Sequence, residues 1–250
     1  MLRLRRFFQT PVAAEPNRLP VHIGDRAIEV GLRRRDSARR MTLRVSSATG
    51  DVVLTLPPNA AMSSARTFLD SHTGWIAQRL SRLPDRVSFH PGAMVPLRGT
   101  PHRIVHWSRV RGTTRATTDE AGEPVIAVCG EESTASGRVR RYLALEAERD
   151  LREAVARHTA SLGVAARRLT LRDTRSRWGS CSSAGALSFS WRLILAPPFV
   201  LDYLAAHEVA HLREMNHSHR FWRIVHGLCP RTDEAETWLN RNGSGLHRYG

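Results

Sequence analysis

The chain has 250 residues, 41% hydrophobic and 24% charged, a balance that excludes disordered and collagenous polymers and allows one large domain or two modest ones. No apolar run reaches the ~18 residues that a membrane-crossing helix needs, so no membrane partner is expected. The net charge of +15 rests on 38 basic residues, all arginine; clustered cations favour nucleic acid by releasing counterions from phosphates, but a bias spread over the whole chain leaves that partner open rather than indicated.

Residues 1–20 read as a loose N-terminal arm. Arg3, Arg5 and Arg6 make a basic start, but only Phe7 and Phe8 follow before polar residues, too short for a secretory apolar region, and Glu15 argues against a transit peptide. Residues 21–130 are expected to form a β-rich domain, because short apolar alternations such as Met41 to Val45 and Val52 to Leu56 are broken by turn residues. One helix over Ala61 to Leu80, with Ala65, Phe68, Leu69, Trp75, Ile76 and Leu80 on one face, is predicted to pack on the first sheet. Strands are predicted at Ile104 to Trp107 and Val125 to Val128, with the glycine- and threonine-rich segment between them as a hairpin loop.

After Gly130 the character changes, and a second domain is expected over residues 131–250. Ser136 to Leu162 carries Val139, Tyr142, Leu143, Leu151 and Val155 among many charges, an amphipathic helix of roughly 25 residues. Leu169 to Arg172 and Leu187 to Trp191 read as strands joined by the polar loop Thr174 to Gly185. Pro197-Pro198 opens a helix to about Arg213, and shorter helices follow around His219 to Leu228 and Asp233 to Asn240. Cys129, Cys181 and Cys229 are far apart, odd in number and form no Cys-x-x-Cys pair, which suggests neither a disulfide framework nor a cysteine zinc knuckle and fits a reducing, cytoplasmic setting.

His207-Glu208-Val209-Ala210-His211 has the His-Glu-x-x-His pattern of zinc peptidases. Residues four apart lie one helical turn above one another, so both imidazoles can reach one ion. Glu208 projects beside them without coordinating, placed to take a proton from a water whose pKa zinc lowers to about 7. Apolar neighbours Leu201, Leu204, Val209 and Leu212 would bury this stretch, where unligated histidines would need other partners.

A catalytic zinc takes a third protein ligand and keeps one position open. His217, six residues after His211, gives the ligand spacing of the longer metzincin pattern, with Glu214 where that pattern has glycine. Asn216, tolerant of left-handed backbone, is expected to make the turn that returns His217 to the ion. The rival ligands are Glu234 and Glu236 from the next helix. His219 reads as a donor behind the ligands or facing substrate rather than as a ligand, with a plain surface histidine as the alternative; one of Arg175 and Arg177 could face a developing oxyanion, with a surface or core-support role as the alternative. Trp178 and Trp191 read as packing residues and Trp222 as the anchor of the helix that positions His217. Leu187 to Trp191 is expected to run along the cleft and offer its edge to an extended peptide.

The same pentapeptide, followed by Asn216-His217-Ser218 and Phe221-Trp222, resembles the YgjP-like metallopeptidases, relatives of the SprT-like zinc proteases. Arg177-Trp178-Gly179-Ser180-Cys181, Leu187 to Leu193, Ser37 to Val45 and Trp75-Ile76 extend the resemblance over most of residues 25 to 245. It implies an α+β chain, a sheet-rich N-terminal part followed by a zincin-like catalytic domain, with one zinc ion on His207, His211 and His217, Glu208 as general base and a hairpin beside the metal helix; it does not settle the substrate, for which a protein or peptide is the leading expectation. Two other functions share the metal: hydrolysis of a phosphate-bearing small molecule such as a nucleotide, and a protease recruited by nucleic acid. A basic binding module with a structural zinc is the non-enzymatic reading.

Overall fold

The computed structural model describes residues 16–46, 49–82, 85–107, 112–174 and 176–250, and the chain divides into two compact units, Met1–Leu83 and Pro84–Gly250. The first contains strands β1 (Arg18–Ile23), β2 (Arg26–Arg34), β3 (Thr42–Val45) and β4 (Val52–Leu56) in the order β1-β2-β4-β3. The outer pairs are antiparallel and β2 runs parallel to β4. Alternate residues Val52, Leu54 and Leu56 point inward with Val30 and Val21, and the helices bury Ala65, Leu69 and Ile76 in the same cluster. β1 begins at Arg18, so the last residues of the expected arm belong to the sheet.

The helix predicted over Ala61 to Leu80 is two, α1 (Met62–Ser71) and α2 (Thr73–Ser81), meeting at His72. The break has a local cause. His72 adopts φ −113° and ψ 8°, outside helical geometry, and its Nδ1 donates to the Phe68 carbonyl at 2.7 Å, with the two rings stacked 4.2 Å apart. Of the arginine run at 33–35, Arg34 is structural: its guanidinium donates to the carbonyls of Pro57, Pro58 and Ala60 at 2.8–3.0 Å, fastening the turn between β4 and α1.

The second unit opens with β5 (Met94–Leu97), β6 (Thr100–Trp107), β7 (Arg115–Thr118) and β8 (Pro124–Cys129), ordered β5-β6-β8-β7. The predicted hairpin between Ile104–Trp107 and Val125–Val128 is not formed. Those strands are parallel neighbours, Ile104 opposite Ile126, and the segment between them supplies β7, which makes the hairpin with β8. Asp119 builds that turn by accepting from the backbone of Ala121 and Glu123 at 3.0 Å.

Helix α3 (Ala135–Leu162) buries Val139, Leu143, Ala147, Leu151, Ala154 and His158, a stripe at three- and four-residue steps, and ends at Gly163 in the left-handed region (φ 66°). It packs against α4 (Pro198–Ala210) and the sheet. β9 (Arg168–Arg172), β10 (Gly179–Cys181) and β11 (Ala186–Ser190) form a second sheet in the order β10-β11-β9. α5 (His219–Leu228) and α6 (Thr232–Leu246) complete the chain. Arg192 ties the end of α6 back, donating to the carbonyls of Leu246 and Tyr249 while its Nε meets Asp173 at 2.8 Å.

The division expected near residue 131 falls instead at residues 83–84. Val95, Leu97, Ile104, Ile126 and Val128 share one core with Val139, Leu143, Leu187, Val200 and Val225, so the sheet before Gly130 belongs with the helices after it. No helix among the described residues is long and apolar enough to cross a membrane, and the three cysteines are free thiols.

Candidate metal centre

α4 is buried nearly all round: Val200, Leu201, Leu204, Ala205, Ala206 and Val209 all lie in the core. Proline at its first position satisfies the helix start without a donor. Three polar side chains are carried into that setting, His207, Glu208 and His211, with Glu208 4% exposed. The helix closes at Ala210, earlier than predicted, and the chain leaves through a tightened turn in which Leu212 and Arg213 donate to Val209 and Ala210 at 3.0 Å.

Two side-chain caps then fix the next residues. Asn216 Oδ1 accepts from the Ser218 backbone at 3.1 Å, and Ser218 Oγ accepts from the Phe221 backbone at 3.3 Å, starting α5. His217 sits between these caps and is brought back over α4. Asn216 makes the turn through its side chain, not through the left-handed backbone expected of it; Arg98 is the non-glycine residue with positive φ among those described.

The result is a convergence of three imidazoles. One nitrogen from each of His207, His211 and His217 lies within 4.8 Å of the others, and the Nε2 atoms of His207 and His217 are 3.1 Å apart. Phe221, fully buried, forms the floor, its ring centroid 4.5–4.9 Å from all three. Trp222 flanks His207 and His217 at 5.9 and 6.0 Å. Burial first, and the neighbouring histidines second, hold His207 down to about 4; burial also lowers His211. Both rings are therefore neutral near pH 7, the state in which imidazole offers a lone pair.

The tautomers are set from outside. His211 Nδ1 donates to the Glu214 carbonyl at 3.1 Å, leaving its Nε2 as the acceptor. Tyr203, one turn before His207, gives its hydroxyl proton to Glu236 at 2.8 Å, so its oxygen is left to accept from His207 Nδ1 at 3.4 Å. Burial, then the bond to Glu236, push the Tyr203 phenol up, which keeps that proton in place. Glu236 thus reaches the centre through Tyr203 and is not among the converging groups, while Glu234 is held by Arg231 at 2.6 Å. Neither rival carboxylate stands with the imidazoles.

Glu208 lies beside them with its carboxyl pushed up to about 7 by burial, an effect that the charge of Arg177 opposes. Its Oε2 is buried without a hydrogen-bond partner among the described residues. The opposite wall is Gly179 of β10, where an added Cβ would stand 2.4 Å from Glu208 Oε1; only glycine permits this approach. A cavity of about 310 Å³ opens here, its walls including Trp178, Leu204, Glu236 and Leu239. Three imidazole nitrogens in one shell, with a buried carboxyl at their side whose Oε2 lacks a hydrogen-bond partner among the described residues, fit a divalent ion that prefers nitrogen ligands in tetrahedral array.

Of the remaining expectations, Arg177 is exposed and acts on Glu208 through its charge, His219 is exposed at the start of α5 outside the cluster, and Arg175 lies outside the described residues. Trp178 stacks on His247 at 4.8 Å and Trp191 is buried against Arg192 and Phe89. The strand expected to line the cleft, Leu187 to Trp191, is central: β11 pairs with β10 on one side and β9 on the other. Both its edges are occupied, and among the described residues the outer strand of this sheet beside α4 is β10. Tyr203 was missed by sequence reasoning, and Phe221, named only among the residues of the resemblance, was given no role, although each stands four residues from a converging histidine.

A model of the YgjP-like metallopeptidase domain matches residues 39–242. No curated protein sequence matches the chain. Among solved structures, the crystal structure of the metallopeptidase zymogen of Pyrococcus abyssi abylysin aligns at 20% identity and a TM-score of 0.34, covering 36% of this chain and 93% of that one.

Proposed function

The chain belongs to the YgjP-like metallopeptidase family, and from that premise we propose that it hydrolyses peptide bonds with one zinc ion held by His207, His211 and His217 and with Glu208 as general base. The observation that carries this reading is the meeting of three imidazole nitrogens within 4.8 Å beside a carboxyl pushed up to about 7. Zinc, when bound, supplies Lewis acidity to a water and to the scissile carbonyl.

Glu208 accepts the proton of the attacking water at its carboxylate and later delivers it to the leaving amine. Burial raises the Glu208 carboxyl in the metal-free chain, and a bound cation beside it would draw it back toward the carboxylate that accepts the proton. Gly179 keeps the space in front of Glu208 clear, and the outer edge of β10 offers backbone groups with which an extended substrate pairs as an added strand. Arg177, whose charge already reaches Glu208, is the candidate to face the oxyanion that develops on the carbonyl.

Elemental analysis of wild type, Glu208→Gln and His217→Ala, each paired with a casein hydrolysis assay, tests the reading. We expect one zinc per chain and activity in wild type, zinc without activity in Glu208→Gln, and loss of both in His217→Ala. Zinc retained by His217→Ala would reassign the third ligand, and a wild type that binds no metal would sink the proposal.

A further inference from the structure

Carboxylates in the second unit follow a rule with two exceptions. Among its described residues, those that are not exposed have a cation within 4 Å: Glu146 and Asp150 meet Arg98, Asp119 meets Arg103, Glu148 meets Arg152, Asp202 meets Arg157, and Glu214 meets Arg220. Glu208 and Glu236 have none, and both line the same cavity. In a chain with 38 arginines and a net charge of +15, a guanidinium is the commonest available neighbour. On α6 itself Glu234 has one at 2.6 Å, yet Glu236, two residues on and half-buried, does not.

The work assigned to Glu208 accounts for the first exception. For Glu236, the bond from Tyr203 accounts for one oxygen and leaves the other without a partner among the described residues. The walls around it include Trp178, Leu204 and Leu239, so the cavity joins apolar sides to an anionic group. That combination suits a side chain with a hydrocarbon stem and a cationic head.

The geometry points to a substrate subsite in which the Glu236 carboxylate receives the arginine or lysine head of a residue flanking the scissile bond, its stem lying against Trp178, Leu204 and Leu239. This assignment rests on the peptidase reading above. It names the class of substrate: polypeptides with a basic residue beside the bond that is cut. An acidic residue there would meet Glu236 and Glu208 together and be rejected.

The informative variant is Glu236→Gln, whose amide oxygen still accepts from Tyr203 while the charge is removed. A randomised peptide library cleaved by the zinc-loaded full chain, with products sequenced by mass spectrometry, is expected to show arginine or lysine enriched at one flanking position. The preference in kcat/KM over leucine should be about ten- to a hundredfold and should disappear in Glu236→Gln compared at saturating zinc, so that any change in metal affinity through Tyr203 stays out of the ratio. A second readout needs no turnover: the Glu208→Gln chain should bind an arginine-bearing peptide more tightly than its norleucine counterpart, and Glu208→Gln/Glu236→Gln should bind the two alike. Cleavage without basic enrichment, or enrichment that survives Glu236→Gln, overturns the subsite alone. A library left intact by the zinc-loaded chain overturns the peptidase reading and the subsite with it.

Discussion

Removing one oxygen from Tyr203 is expected to loosen metal binding without unfolding the chain. Its hydroxyl fixes which nitrogen of His207 carries the proton by accepting from Nδ1 while donating to Glu236, and outer partners of this kind typically alter metal affinity about ten- to a hundredfold. Tyr203→Phe should lower zinc affinity by that factor in competition with a chromophoric chelator; an unchanged affinity would show that the phenol merely fills space. The two ends of this link differ in how far the sequence reveals them. Tyr203 stands one helical turn before His207, so the period that joined His207 to His211 could have found it. Glu236 lies 33 residues from Tyr203, a partner that no local pattern predicts.

At the scale of elements, α5 is the clearest case of a helix with its start written in the chain. Ser218 caps it, the observed bounds His219–Leu228 are those expected, and the cap lies next to His217. Ser218→Ala should cost about 1 kcal/mol of stability, read by denaturant unfolding of the metal-free chain. Because the same turn presents His217, zinc affinity should fall as well; a stability loss with full affinity would mean that Phe221 alone positions the ring. α6 was less legible. Its extension from Asn240 to Leu246 passes through Gly243 and Gly245, poor helix formers, and the reason lies elsewhere in the fold: a Cβ at Gly243 would come within 3.3 Å of Trp178. Parallel pairings such as β6 with β8 and β9 with β11 were likewise hidden, since strand identity is a local property but neighbour choice is not.

At the scale of the molecule, the buried residues of the two units form separate clusters, one around Val30, Leu54 and Ile76 and the other around α3 and α4. Calorimetry should therefore resolve two unfolding transitions, and zinc should raise one of them. Free zinc at a hundred times its dissociation constant stabilises the folded state by about 2.7 kcal/mol; a single transition that moves as a whole would refute the division at residues 83–84. The compositional change after Gly130 is real, but it marks the passage from strand to helix within one unit. A sheet whose residues alternate inward and outward carries no label of which helix will cover it, so the boundary was beyond a reading of local pattern.

The length of β10 has a consequence for self-association. An open strand edge that can receive a substrate backbone can also receive the edge of another copy, the usual route from exposed sheet to aggregate. β10 offers three residues, Gly179–Cys181, before the chain turns through Ser182 and Gly185, where Gly185 donates to the Ser182 carbonyl at 2.9 Å. So short an edge holds a partner strand weakly by backbone bonds alone; a bound chain gains further when it also has a side chain to place in the adjacent cavity. On the proposed strand pairing, so short an edge would favour a substrate that also fills the cavity over a second copy of the protein.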